Sequence, residues 1–165
     1  MTRAVFLDRD GVLNEAHVRD GKPLPPASVE ELVIVSDAAE ALARLKAAAY
    51  RLVVVTNQPD VARGNQRREM VERINAALRS ALPIDEIRVC YHADEDECDC
   101  RKPKPGLLLQ APLHDLARSV MVGDRWRDVE AGRRAGVGAT ILIDAGYAEA
   151  MTVEPDVRVR SLSAA

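Results

Sequence analysis

Short apolar runs alternate along the chain with longer stretches in which apolar residues recur at helical spacing. AVFLD (4–8), RLVVVTN (51–57), IRVCYH (87–92), SVMVGD (119–124) and ATILID (139–144) are rich in Val, Ile and Leu without clean alternation. That pattern belongs to strands covered on both faces. Between them, SDAAEALARLKAAAY (36–50) opens on a good N-cap and lays Ala38, Ala41, Leu42 and Leu45 along one face, while 66–81, 106–117 and 126–135 read as further helices. The β-α-β-α order predicts an α/β fold, a doubly wound parallel sheet forming one domain over residues 1–165. The proline-rich DGKPLPPASVEEL (20–32) reads as an irregular loop or short flap, and TVEPDVRVRSL near the end as a short edge strand.

Composition narrows the function classes. A net charge of -3 supplies no general field for capturing nucleic acid or an anionic membrane, so any anion must be bound locally. The N-terminal MTRAVFLDRDG reaches charged residues after only four apolar ones (Ala4 to Leu7), too few for a signal-peptide core, and no stretch is long enough to span a bilayer. A cytoplasmic protein is expected, and separately a monomer. All three cysteines lie within CYHADEDECDC (90–100) beside one histidine, and in a reducing compartment that grouping suggests metal rather than disulfides.

Ligands of doubly wound sheets collect at the carboxyl ends of the strands, and polar chemistry stands at each such end here. The first strand delivers Asp8 and Asp10, the second Thr56 and Asn57. The third leads through Cys90 and His92 to Arg101 and Lys102, and the fourth delivers Asp124 followed by Asp128. The turn allowed by Gly11 brings the first two carboxylates together. With Asp124 they form a crowd of hard oxygen donors that suits Mg²⁺. Thr56 offers a hydrogen bond and Lys102 a positive charge to a phosphoryl group. These parts point to phosphoryl transfer.

FLDRDGVLN, VVTNQ, RKPKPG and VGDRWRD together resemble the four motifs of the haloacid dehalogenase superfamily of phosphatases. The loop C-x-H-x5-C-x-C followed by RKPKPG is similar to the subfamily of D-glycero-D-manno-heptose-1,7-bisphosphate and histidinol-phosphate phosphatases. The resemblance implies that Asp8 is the nucleophile and that Asp10 first protonates the leaving oxygen and then activates water. It further implies Mg²⁺ on Asp8, the Asp10 carbonyl and Asp124, with Thr56 and Lys102 on the phosphoryl group. With no large insertion after either of the first two motifs, no cap domain is expected.

Cys90, His92, Cys98 and Cys100 make a closed four-ligand set for a structural Zn²⁺, whose work is to pin a loop of little hydrophobic content and hold Arg101 and Lys102 over the phosphate. Arg63, Arg101 and Arg125 are the cations nearest the strand ends and suit the far phosphate or hydroxyls of a sugar phosphate. His17 and Arg19 lie in the loop after the first motif, where the family meets its substrate; surface positions serve as well. His114 and Trp126 read as surface or packing residues. Relative to the heptose enzymes, Pro59 and Asp60 replace Ser-Gly, Val18 and Arg19 replace Gly-Tyr, and Tyr91 replaces Pro. Heptose 1,7-bisphosphate is the first expectation for the substrate and histidinol phosphate the alternative. A phospho-acceptor module and a zinc-stabilised interaction module are the rivals from other classes.

Overall fold

The computed structural model describes residues 1–165. Its main sheet has six strands, all pairs parallel: β1 (Ala4–Leu7), β4 (Arg51–Asn57), β5 (Glu86–Cys90), β6 (Val120–Gly123), β7 (Ala139–Ile143) and β8 (Val157–Val159). The order β5-β4-β1-β6-β7-β8 puts β1 at the centre, with the chain winding away from it first on one side and then on the other. The carboxyl end of β1 is thus the topological switch point, where ligands of such sheets sit. β8 is the expected edge strand.

Alternate residues of each central strand feed two cores, which explains the uninterrupted apolar runs. Val5, Leu7, Leu52, Val54 and Val122 face one cluster with Ala38, Ala41 and Leu42 of helix α1 (Ala38–Ala47) and Leu78 of α2 (Arg68–Ala81). Ala4, Phe6, Val53, Val55 and Met121 face the other with Leu107 and Leu108 of α3 (Gly106–Leu109) and Ala131 of α4 (Trp126–Ala135). No helix is long and apolar enough to cross a membrane.

Three expectations need correction. The residues read as an irregular loop include a hairpin, β2 (His17–Arg19) and β3 (Lys22–Leu24), turning at Asp20-Gly21 with φ of 51° and 72°. An Asp-Gly pair with both residues at positive φ is a favoured two-residue hairpin turn. The helix expected over 106–117 stops at Leu109. Pro112 cannot donate to the Leu108 carbonyl and disfavours helical backbone at Ala111. The α1 cap also differs: Asp37 at the N-cap makes no capping bond, and its Oδ2 instead accepts the backbone N–H of Ser163 at 2.8 Å.

Arg88, buried on β5, satisfies the carbonyls freed by that early stop. Its Nη1 donates to Leu107 at 2.9 Å and its Nη2 to Pro112 at 3.0 Å, while Nε and Nη2 pair with Glu86 at 2.8 and 3.2 Å. His114 is buried too, packing edge-on against Phe6 at 5.8 Å, in agreement with a packing role. Replacing Arg88 with Met should lower unfolding free energy by about 3 kcal/mol, because carbonyls and the Glu86 charge lose their partner. Urea unfolding of the two proteins measures the difference.

Candidate active site and cysteine cluster

Four chain segments meet at the carboxyl end of β1. Asp8 leaves that strand, and Lys102 arrives from the segment after β5. The Lys102 Nζ donates to Asp8 Oδ1 at 2.8 Å, to Asp128 Oδ1 at 2.7 Å and to the Val55 carbonyl at 2.8 Å. Burial opposes its charge, but the Asp128 and Asp8 carboxylates outweigh that effect and hold Lys102 above the ordinary lysine value. Asn57 fixes the lysine backbone: its amide donates to the Lys102 carbonyl at 3.0 Å and accepts the Lys102 N–H at 3.0 Å. Both polar ends of Asn57 are thereby engaged, so although it lines the cavity, its observed contacts position Lys102.

Asp8, Asp124 and Asp128 bring carboxylate oxygens within 4.8 Å of one another. Burial and the Asp128 charge push Asp8 up to about 6 despite Lys102. Burial, Asp8 and Asp128 raise Asp124 well above the usual carboxylate range. Asp128 is fully engaged: besides Lys102, it accepts the N–H groups of Asp124 and Arg125 at 3.2 and 3.1 Å, closing the first turn of α4. Asp124 differs, with Oδ2 accepting from the Tyr147 hydroxyl at 2.6 Å while Oδ1 is buried without any partner. An orphaned carboxylate oxygen beside a second crowded carboxylate is a donor set that fits a small hard cation. Gly11, at φ +85°, passes so close that a β-carbon there would collide with the Asp124 carboxylate.

The Asp10 carboxylate stands outside this cluster. Its Oδ1 accepts from Arg9 Nη2 at 3.0 Å and Asn14 Nδ2 at 3.0 Å, and its Oδ2 from Gln58 Nε2 at 2.9 Å. Arg9 is fully buried and also donates to Asn75 Oδ1 on α2 at 2.8 Å. Arg9, Asn14, Gln58 and Asn75 were not anticipated. Gln58, directly after VVTN, was the readable hint, since its Nε2 also donates to Thr56 Oγ1 at 2.9 Å. Thr56 is itself buried.

An open cavity of about 410 Å³ lies over these groups, and Leu24 is its single hydrophobic contributor. Asp8, Asp10, Asn57, Arg63, Lys102 and Asp128 reach it from the strand ends. Lys22 to Pro25 of the hairpin form one wall, while His17 and Arg19 on the other strand are exposed and do not reach it. Arg125 lines the cavity with its guanidinium gripped by both oxygens of Glu149, at 3.1 and 2.5 Å. Arg101 lines it too, with Nε donating to Asp94 at 2.7 Å. That bond, helped by Arg127 and Arg63, holds the Asp94 carboxyl below its usual range. Arg127 is a further unanticipated member. Trp126 is not in the wall; the Arg127 guanidinium lies 5.4 Å from its ring.

The cysteine loop closes as its spacing suggested. Cys90 Sγ lies 3.7 Å from Cys98, 3.1 Å from Cys100 and 3.5 Å from His92 Nδ1, and that nitrogen is 3.3 Å from Cys100. Zn–S near 2.3 Å and Zn–N near 2.0 Å would set tetrahedral donors about 3.5–3.8 Å apart, so the cluster has almost the dimensions of a zinc shell. Burial pushes the Cys90 thiol up, so its thiolate needs a cation beside it. Gly106 lets the next helix start against the loop: its N–H donates to the Asp99 carbonyl at 3.0 Å, and a β-carbon would strike that carbonyl.

Comparison with known proteins agrees with this geometry. Residues 25–136 match the haloacid dehalogenase-like hydrolase family. The chain is 38% identical over 160 residues to the D-glycero-beta-D-manno-heptose-1,7-bisphosphate 7-phosphatase of Pasteurella multocida, spanning 88% of this chain and 84% of that protein. It is 35% identical over 158 residues to the enzyme of the same name from Escherichia coli K12, spanning 87% and 80%. The D,D-heptose 1,7-bisphosphate phosphatase of B. bronchiseptica, crystallised with magnesium and phosphate, superposes with a TM-score of 0.81 at 30% identity, covering 98% of this chain and 94% of that one. By sequence and by fold, then, the chain belongs to the haloacid dehalogenase-like hydrolases.

Proposed function

We propose that this chain is a Mg²⁺-dependent phosphatase that removes one phosphate from a heptose 1,7-bisphosphate through an aspartyl-phosphate. The observation that carries this reading is a buried nucleophile held in place: Asp8, fixed by Lys102 and crowded by an Asp124 with an unpartnered oxygen, at the floor of a polar cavity. Similarity to the heptose enzymes supplies the substrate class. Asp8, Asp124 and the Asp10 carbonyl hold the Mg²⁺, which neutralises phosphoryl charge when bound.

An Asp8 carboxylate oxygen attacks phosphorus as the bond to the sugar oxygen breaks, and the Asp10 carboxyl gives that oxygen a proton. Asp10 then takes a proton from water as the water oxygen attacks phosphorus, releasing inorganic phosphate and restoring Asp8. Arg9, Asn14 and Gln58 orient Asp10 for both transfers. Lys102 and the Thr56 hydroxyl balance charge on the transferring group. Arg63, Arg101 and Arg125 lie along the wall for the rest of the sugar phosphate, and the four-residue cluster holds a structural Zn²⁺ that fixes the Arg101–Lys102 segment.

Release of inorganic phosphate from heptose 1,7-bisphosphate, heptose 7-phosphate and histidinol phosphate tests the assignment, with the largest kcat/KM expected for the bisphosphate. A higher value for histidinol phosphate would overturn it. Asp8→Asn should lower kcat by on the order of 10⁴-fold while zinc content stays at the wild-type level.

Metal and proton compete at Asp8. Its carboxyl rises from 3.8 to about 6 in the folded, metal-free protein, so the folded form binds more protons than the unfolded one across that window. Stability from this group is therefore present at the acidic end and lost as pH rises through about 6. Bound Mg²⁺ restores it. The Mg²⁺-induced rise in Tm should be larger at pH 7.5 than at pH 5, and calorimetric Mg²⁺ affinity should weaken by up to about tenfold per pH unit below the transition.

Removing zinc tests the loop. Cys98→Ser should reduce bound zinc from one ion per chain, lower Tm and lower kcat/KM, since Arg101 and Lys102 lose their anchor. Metal analysis and steady-state kinetics on the same preparations give the answer.

A further inference from the structure

Two guanidiniums in the cavity wall share a single carboxylate. Asp94 Oδ1 accepts from Arg101 Nε at 2.7 Å and stands 3.7 Å from Arg127 Nη1. One negative charge for two positive ones leaves this trio with a net positive charge. Donors remain as well: Arg101 Nη1 and Arg127 Nε are buried with no acceptor. All three residues line the cavity that contains Asp8.

The partners are unequally fixed. The Arg101 side chain is 10% exposed, whereas that of Asp94 is 60% exposed. Asp94 is therefore the member able to swing out. Its turn does not need its carboxylate for closure, because Asp96 accepts the Ala93 N–H at 2.8 Å. A phosphate dianion offers more acceptors and more charge than a carboxylate, and suits forked guanidinium donors. Reaching the idle N–H groups would bring it against the Asp94 carboxylate, so both anions cannot remain.

We propose that Asp94 is a resident counter-anion that holds the Arg101–Arg127 pair until the distal phosphate of the substrate displaces it. Asp94 and Arg127 then set the selectivity between bis- and monophosphates. The proposal rests on the bisphosphate reading above. A monophosphate cannot displace Asp94 and gains nothing from the pair. A bisphosphate gains the pair less the cost of moving Asp94.

Calorimetric titration of heptose 1,7-bisphosphate and heptose 7-phosphate in Mg²⁺ buffer, on the turnover-blocked Asp8→Asn protein, tests this. Adding Asp94→Asn should tighten the bisphosphate by about two- to fivefold, the range of a partly exposed ion pair, and leave the monophosphate unchanged. Zinc content and Tm report whether the loop keeps its fold. Arg127→Gln, in the first turn of α4 and half-buried, should weaken the bisphosphate alone. Unchanged or weaker bisphosphate binding in the Asp94 variant, or equal losses for both ligands in the Arg127 variant, overturns the proposal. Preference for the monophosphate in wild-type kcat/KM would instead count against the bisphosphate reading, whereas the Asp94→Asn titration decides the counter-anion role.

Discussion

One buried ammonium makes the rest possible. Asp8, Asp124 and Asp128 are buried with carboxylate oxygens within 4.8 Å of one another, an arrangement that repels itself unless a cation stands inside it. Lys102 bridges two of the three and anchors to a β4 carbonyl. Because Asp128 also closes the first turn of α4, the same charge ties a helix start to two strand ends. The third carboxylate is left for a metal.

The position of Lys102 has distant causes. It follows the last ligand of a loop whose sequence is mostly charged and cannot hold itself by apolar burial. Sulfur and imidazole donors there are gathered to the size of a metal shell. From the other side, Asn57 clamps the Lys102 backbone to the end of β4. The result is one fixed ammonium among the carboxylates at the floor of the cavity.

Much of this was legible because it depends on chain direction alone. Apolar runs without alternation mark buried parallel strands, and such strands deliver their next residues to one edge, so Asp8, Lys102 and Asp124 had to meet. The cysteine spacing was equally direct. What escaped depends on rotation and on packing between distant segments. Arg9 sits in a motif whose acids draw attention, yet it turns inward to Asn75 across the sheet face. Tyr147 reaches Asp124 from a connection with no motif, and Arg127 enters the cavity wall only because α4 begins where Asp128 caps it. The hairpin and the early end of α3 were readable from Asp20-Gly21 and Pro112, signals of local stereochemistry outweighed by composition and periodicity.

The cavity carries no domain above it, and its lining residues are mostly charged. Under the proposed mechanism, an acyl phosphate on Asp8 would face this open cavity, and water would need no gate to reach phosphorus. Hydrolysis would then be favoured by supply, the intermediate partitioning among the hydroxyl compounds that diffuse in. Small alcohols or glycols at high concentration would compete with water for that intermediate, and the ratio of transfer to hydrolysis would record how little the fold shields it.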